Sequence, residues 1–231
     1  MDADLAADHR VIAVDLPGHG GSSAVAASLT EGAELLARVG GRAVYVGYSM
    51  GARFCLHLAL AHPELVEALV LISGTAGIDD DGERRQRRQA DEALASQLDP
   101  GGGRAEGPAA VEAFVRRWME NPMFDGIGAE AGGLEARLAN TAAGLASSLR
   151  LAGTGTQEPL WGSLGTLDMP VLVVTGPNDE KFTTLGRRMA GAIGDNATHV
   201  VVDGTGHAPH LQRPEEVARL IRSHIALAGR G

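Results

Sequence analysis

The sequence predicts an α/β fold: a mostly parallel sheet with helices on both faces, interrupted by a helical insert. Three observations carry this. Short β-branched apolar runs alternate with stretches of helical periodicity. The runs are apolar on both faces, as strands of a helix-covered parallel sheet are. Between residues 77 and 160 the alternation stops and only helical periodicity remains.

The runs Arg10–Asp15, Ala43–Val46, Ala68–Ile72, Val171–Thr175 and His199–Val202 read as strands. Helical signals follow most of them, over Glu31–Val39, Ala52–Ala61, Thr183–Ile193 and Pro214–Leu227. The last opens on Pro214-Glu215-Glu216, a proline at the first helical position followed by acids that complement the helix dipole. The expected organisation is a core of residues 1–76 and 161–231 with a cap of residues 77–160. In the cap, Pro100-Gly101-Gly102-Gly103 reads as a flexible connection, because no Lys-Ser/Thr follows to make a phosphate cradle.

Bulk composition narrows the function classes. A chain of 231 residues can bury one substantial core. Its net charge of −9 argues against a general nucleic-acid or anionic-membrane binder. Mean hydropathy is −0.02, and no apolar run reaches the roughly 18 residues of a membrane span. Met1-Asp2-Ala3-Asp4 lacks the basic and apolar segments of a signal peptide, so a cytoplasmic location is expected. The single cysteine, Cys55, reads as a buried helix residue rather than a reactive thiol.

The chemistry concentrates at three loops. Gly47-Tyr48-Ser49-Met50-Gly51 lies between a strand and a helix, where a serine on a strained turn is held above the sheet with a helix N-terminus behind it. Both glycines read as sterically required there. In a chain with 32 glycines the pentapeptide alone is weak; its strand–turn–helix setting gives it weight. A serine hydroxyl needs a base to accept its proton, and that base needs an orienting carboxylate. Asp179 follows the Val171–Thr175 strand and His207 follows the His199–Val202 strand, in the chain order Ser, acid, His. All three stand at C-terminal strand ends, where open parallel sheets bind ligands. Competing residues read as structural: Asp168 and Asp203 as turn residues, Asp195 as a surface charge, His57 and His62 as helix residues, His210 as loop packing. No His/Cys/carboxylate spacing resembles a metal site, and Gly18-His19-Gly20-Gly21 lacks the spacing of a dinucleotide loop.

With Asp15-Leu16-Pro17-Gly18-His19-Gly20, the elbow and Gly204-Thr205-Gly206-His207, the chain resembles the α/β-hydrolase fold superfamily. The insert narrows the resemblance. Gly74–Ile78, Glu83–Asp91, Trp118–Phe124, Leu145–Arg150 and Gly153-Thr154-Gly155-Thr156-Gln157 are similar to the 2-succinyl-6-hydroxy-2,4-cyclohexadiene-1-carboxylate synthases of menaquinone biosynthesis, commonly called MenH. This resemblance implies a lyase without cofactor that expels pyruvate from a cyclohexene polycarboxylate by proton abstraction and 2,5-elimination. It implies Ser49, His207 and Asp179 as the catalytic set, with Ser49 as base. The N–H of Met50 would serve as an oxyanion donor. Arg53, Arg87 (with Arg88 its rival) and Arg137 would hold substrate carboxylates, which guanidinium forks match bidentately. Tyr48 and Trp118 would line the pocket.

The same resemblance implies strands ahead of Arg10 and a His-Gly loop whose N–H is a second oxyanion donor. Nothing before Arg10 supplies them. The expectation is therefore that Met1 is internal to a longer chain, and that the 231 residues as written fold poorly, are weakly active and leave a gap in the sheet. Two other functions fit the residues. A carboxylesterase or carbon–carbon bond hydrolase would use Ser49 as a nucleophile, in a mainly apolar pocket. A non-catalytic homologue would leave Ser49, Asp179 and His207 apart.

Overall fold

A computed structural model describes residues 1–100, 107–127 and 133–229. In chain order the elements are α1 (Asp2–Leu5), α2 (Leu29–Gly40), β1 (Ala43–Tyr48), α3 (Met50–Ala61), β2 (Val66–Ile72), α4 (Asp81–Leu98), α5 (Pro108–Met119), α6 (Leu134–Leu138), α7 (Ala142–Ala152), β3 (Val171–Thr175), α8 (Glu180–Ile193), β4 (Ala197–Val201), α9 (Pro209–Gln212) and α10 (Pro214–Ala228). The four strands form one sheet in the order β1-β2-β3-β4, and every pair is parallel.

Side-chain alternation along the central strands divides the core between two faces. Leu69, Leu71, Val171 and Val173 point to one face, where Leu36 of α2, Phe54 and Leu58 of α3 and Met189 of α8 cover them. Val70, Ile72, Leu172 and Val174 point to the other, against Leu5 of α1 and Val217 and Ile221 of α10. The edge strands β1 and β4 are only partly buried, as strands with one neighbour are. Cys55 lies inside the first of these cores, and burial pushes its thiol up to about 12.

Arg10–Asp15, expected as a strand, is not one. The segment makes no ladder, and Val11, Ile12 and Val14 are 39%, 49% and 40% exposed. Apolar alternation makes a segment competent for a sheet, but a strand exists only beside a partner, and β1 pairs with β2 alone. Leu16, just after it, returns to the core beside α3.

Among the described residues of the 77–160 stretch there are helices and no strand. Ala95 and Leu98 of α4, Val111 and Val115 of α5, and Ala142, Leu145 and Ala146 of α7 form a separate apolar cluster. Asp80 caps α4 and Thr141 caps α7, each side chain accepting an N–H three residues on. Gly101-Gly102-Gly103, read as a flexible connection, lies outside the described residues.

Helix α7 of this stretch and the segment before it pack against the Asp15–Gly21 loop. A Cβ on Gly18 would sit 2.4 Å from the Gly144 carbonyl oxygen of α7, and Gly18 has φ +82°, so glycine is required twice over. Asp15 accepts the N–H of Gly21 at 2.9 Å, and Gly20 donates to Asn140 at 2.9 Å, which ties this loop to the segment after α6.

Candidate active site

Ser49 is the hinge between β1 and α3. Its backbone has φ 49° and ψ −106°, a region costly for a side chain with a Cβ, and its N–H is held by the Ile72 carbonyl at 2.8 Å. Gly47 makes the turn possible: a Cβ there would lie 2.4 Å from the Gly51 oxygen and 2.5 Å from the Ala52 nitrogen. Gly51 is different. A Cβ there would meet only Leu16, at 4.0 Å, so the expectation that both glycines are sterically required is corrected to one. The close approach of strand and helix falls on the β1 side of the turn. Met50 opens α3, so its N–H belongs to the first turn, which has no intrahelical acceptor.

Asp179 and His207 are brought together by the loops after β3 and β4. A Cβ on Gly176 would lie 2.3 Å from Thr205 Oγ1 and 2.4 Å from the Gly206 oxygen, so only glycine allows the two loops to touch. The Asn178 N–H donates to the Thr205 carbonyl at 3.0 Å across this contact. The Gly206 N–H donates to Gln212 Oε1 at 2.7 Å, which fixes the far side of the histidine loop.

The result is a hydrogen-bonded relay. His207 Nδ1 stands 2.6 Å from Asp179 Oδ2, and His207 Nε2 stands 3.1 Å from Ser49 Oγ. With Nδ1–H donated to the carboxylate, Nε2 is the acceptor that faces the hydroxyl. His207 is 1% exposed, and three rings enclose it: Phe182 edge-on at 4.4 Å, Tyr48 at 5.4 Å and Phe124 at 6.4 Å between centroids. The convergence removes the premise of the non-catalytic reading, in which the three residues would stand apart.

The residues expected to hold substrate fall into two groups. Tyr48 lies beside His207, while Trp118 and Arg137 reach Phe124, another ring next to that histidine. Burial pushes the Tyr48 phenol well above its ordinary range, with the Arg137 charge opposing this. The Arg137 guanidinium lies 5.6 Å from the centroid of Phe124, and Trp118 reaches the same ring at 6.4 Å. Arg53 and Arg87 form a second corner, at the junction of α3, α4 and α7. Arg53, one turn beyond Ser49 and 7% exposed, donates from Nη1 to the Ala152 carbonyl at 2.7 Å. Burial, with the charge of Arg87 added, lowers its pKa to about 10. Arg87 Nε donates to Asp91 at 2.8 Å. Arg88, the rival to Arg87, is exposed and turns to the Gly155 carbonyl at 3.2 Å.

Sequence reasoning missed Phe182. Phe182 stands three residues after Asp179, and its N–H caps onto the other carboxylate oxygen at 3.1 Å; that i, i+3 spacing at a helix start was the available signal. His210, read as loop packing, lies tilted against Tyr48 with ring centroids 4.3 Å apart, and its buried Nδ1 makes no hydrogen bond among the described residues. Burial, then the N-terminal ammonium and His207, lower its pKa to about 4. Asp168, Asp195 and Asp203 are exposed, as turn and surface residues are. Among the described residues no helix is long and apolar enough to cross a membrane.

The family model described as "Alpha/beta hydrolase family" matches residues 1–220. The chain is 32% identical to a candidate 2-succinyl-6-hydroxy-2,4-cyclohexadiene-1-carboxylate synthase of Bacillus subtilis (strain 168), over 96% of this chain and 83% of that protein. It is 30% identical to a pimeloyl-[acyl-carrier protein] methyl ester esterase of Xanthomonas campestris pv. campestris (strain B100), over 96% of this chain and 87% of that one. Among solved structures, MenH from S. aureus superposes with a TM-score of 0.84 at 29% identity, over 94% of this chain and 83% of that chain. The chain belongs to the alpha/beta hydrolase family and, within it, to the 2-succinyl-6-hydroxy-2,4-cyclohexadiene-1-carboxylate synthases.

Proposed function

We propose that the chain is a lyase of menaquinone biosynthesis, forming 2-succinyl-6-hydroxy-2,4-cyclohexadiene-1-carboxylate by eliminating pyruvate from a cyclohexene polycarboxylate. The observation that carries this is the Asp179–His207–Ser49 relay, with Arg53 buried one helical turn beyond Ser49. An arginine-bearing pocket suits a substrate with several carboxylates, whereas a neutral ester would be served by an apolar one.

In this reading Ser49 Oγ removes the proton on the ring carbon beside the succinyl carbonyl while passing its own proton to His207 Nε2. The electron pair moves through the ring and breaks the carbon–oxygen bond to the enolpyruvyl group. The departing enolate takes the proton back from His207 and ketonises to pyruvate, so proton and electrons balance. Asp179 stabilises the transient imidazolium and holds its tautomer. The Met50 N–H, at the start of α3, faces the developing enolate of the succinyl carbonyl. Arg53, Arg87 and Arg137 hold the carboxylates, and Tyr48 and Trp118 shape the pocket.

The esterase likeness supports one other reading, in which Ser49 attacks an acyl carbon. Incubation with the enolpyruvyl substrate, coupled to a pyruvate assay, separates the two. Pyruvate release that Ser49→Ala abolishes is expected. Hydrolysis of short-chain nitrophenyl esters without pyruvate release would replace the lyase with the esterase.

A further inference from the structure

Asp91 is a carboxylate in the middle of α4, yet it is 2% exposed. A buried carboxylate is costly unless charged or hydrogen-bonding partners surround it. Its partners come from two places. Oδ1 accepts from Arg87 Nε at 2.8 Å, one helical turn back, and Oδ2 accepts the Gly155 N–H at 3.3 Å. The Gly153–Gln157 loop is shaped to make this possible. A Cβ on Gly153 would lie 2.6 Å from Asp91 Oδ2, and one on Gly155 would lie 2.3 Å from the Arg88 nitrogen. The loop therefore needs glycine at both positions to close over the carboxylate.

The residue before that loop, Ala152, supplies the carbonyl that receives Arg53. Asp91 is thus the acid at the corner where two of the three proposed carboxylate-binding arginines meet. Its charge favours the charged form of Arg53, against burial and the repulsion of Arg87. It also occupies the inner edge of the Arg87 guanidinium. The two terminal amino groups of that fork make no hydrogen bond among the described residues.

We propose that Asp91 is a positioning residue that, gripped by the Gly153–Gln157 loop, holds Arg87 by Nε and aims its terminal amino groups at a substrate carboxylate. The proposal rests on the lyase reading for the identity of the substrate. A purely structural Asp91 would instead tie α4 to the loop after α7, and its loss would lower stability without touching substrate affinity.

Asp91→Asn, Arg87→Gln and the double variant separate these roles, with thermal midpoints measured alongside pyruvate kinetics. Expected is a KM about ten-fold higher for Asp91→Asn with kcat within about two-fold, the loss of one well-aimed charged hydrogen bond. The double variant is expected to match Arg87→Gln, because Asp91 acts through that arginine. If Asp91→Asn does not fold, Asp91→Glu, which keeps the charge but displaces the oxygen that Arg87 Nε grips, is read in its place, and an unchanged KM there overturns the proposal. An unchanged KM in Asp91→Asn, or a double variant several-fold worse than Arg87→Gln, overturns the proposal. If the wild type binds citrate by calorimetry but releases no pyruvate, the lyase reading fails alone. Asp91→Asn must then weaken citrate about ten-fold, and equal affinity overturns it. A wild type that neither releases pyruvate nor binds citrate overturns both.

Discussion

Asp179 uses its two carboxylate oxygens for two different tasks: Oδ2 accepts from His207 Nδ1 at 2.6 Å, and Oδ1 caps α8 through the Phe182 N–H at 3.1 Å. In the proposed mechanism catalytic orientation and helix initiation therefore share one side chain, and substitutions can separate them. Asn at 179 keeps a capping oxygen but cannot hold the imidazole in the required tautomer. Ala removes both. Asp179→Asn is expected to lower kcat by roughly 10²–10⁴-fold with a nearly unchanged melting temperature. Asp179→Ala should show the same kinetic loss and about 1 kcal/mol less stability. Equal stability of the two variants, by chemical denaturation, would remove the capping role.

The two glycines of the elbow should behave in opposite ways. Gly47→Ala forces a Cβ to 2.4–2.5 Å from the backbone of Gly51 and Ala52, where no flexible side chain can yield. Several kcal/mol of destabilisation and loss of the relay are expected. Gly51→Ala puts a methyl group into ordinary contact with Leu16 inside α3. The gain in helix propensity is expected to raise stability by about 0.5 kcal/mol. Melting temperatures of the pair check this, and comparable losses in both would show that Gly51 also faces a tight approach.

Local pattern made the elements legible wherever a segment's partners follow from its own residues. β2 and β3 are buried on both faces, so their apolar runs locate them directly. Ser49, Asp179 and His207 were legible because each follows a strand of the parallel sheet, and parallel strands align their C-terminal ends. Arg10–Asp15 misleads for the complementary reason: its pattern records fitness for a sheet, while pairing depends on a neighbour that the segment does not encode. Asp91 was hidden in the same way. It lies in a run of charges that reads as a solvated face, and only contact with Gly153 and Gly155, more than sixty residues on, buries it. Arg53 was half legible: a charge one turn into the helix after the elbow needs a partner, but that the Ala152 carbonyl supplies it is a tertiary fact.

Arg137 should matter for binding and little for folding. It is half-buried, on the last turn of the short α6, with its guanidinium near Phe124 and its charge felt at Tyr48. Arg137→Gln is expected to raise KM about ten-fold or more, the worth of one charge-assisted hydrogen bond to a carboxylate. The melting temperature should fall by no more than about 2 °C. Steady-state pyruvate kinetics with parallel thermal scans test this. A KM unchanged within two-fold would move the third carboxylate contact to another residue.

Acid should weaken the fold through its buried histidines, His210 first. Its folded pKa of about 4 lies below the ordinary 6.5, chiefly because burial disfavours the charged ring. Burial also lowers His57, His199 and His224. Above pH 6.5 such a ring is neutral in both states and contributes no pH dependence. Between 6.5 and 4 the unfolded chain takes up a proton that the folded chain refuses. Stability therefore falls with falling pH, by up to about 1.4 kcal/mol per unit for one ring, and the slope levels off below pH 4. His62 has the opposite sign, because its hydrogen bond to Glu34 raises its pKa; it is exposed enough for its effect to be small. His210→Phe keeps the ring against Tyr48 and removes the titration. Denaturant midpoints at pH 7, 6, 5 and 4 should show a shallower acid slope in this variant, while identical slopes would place the acid sensitivity on the other histidines.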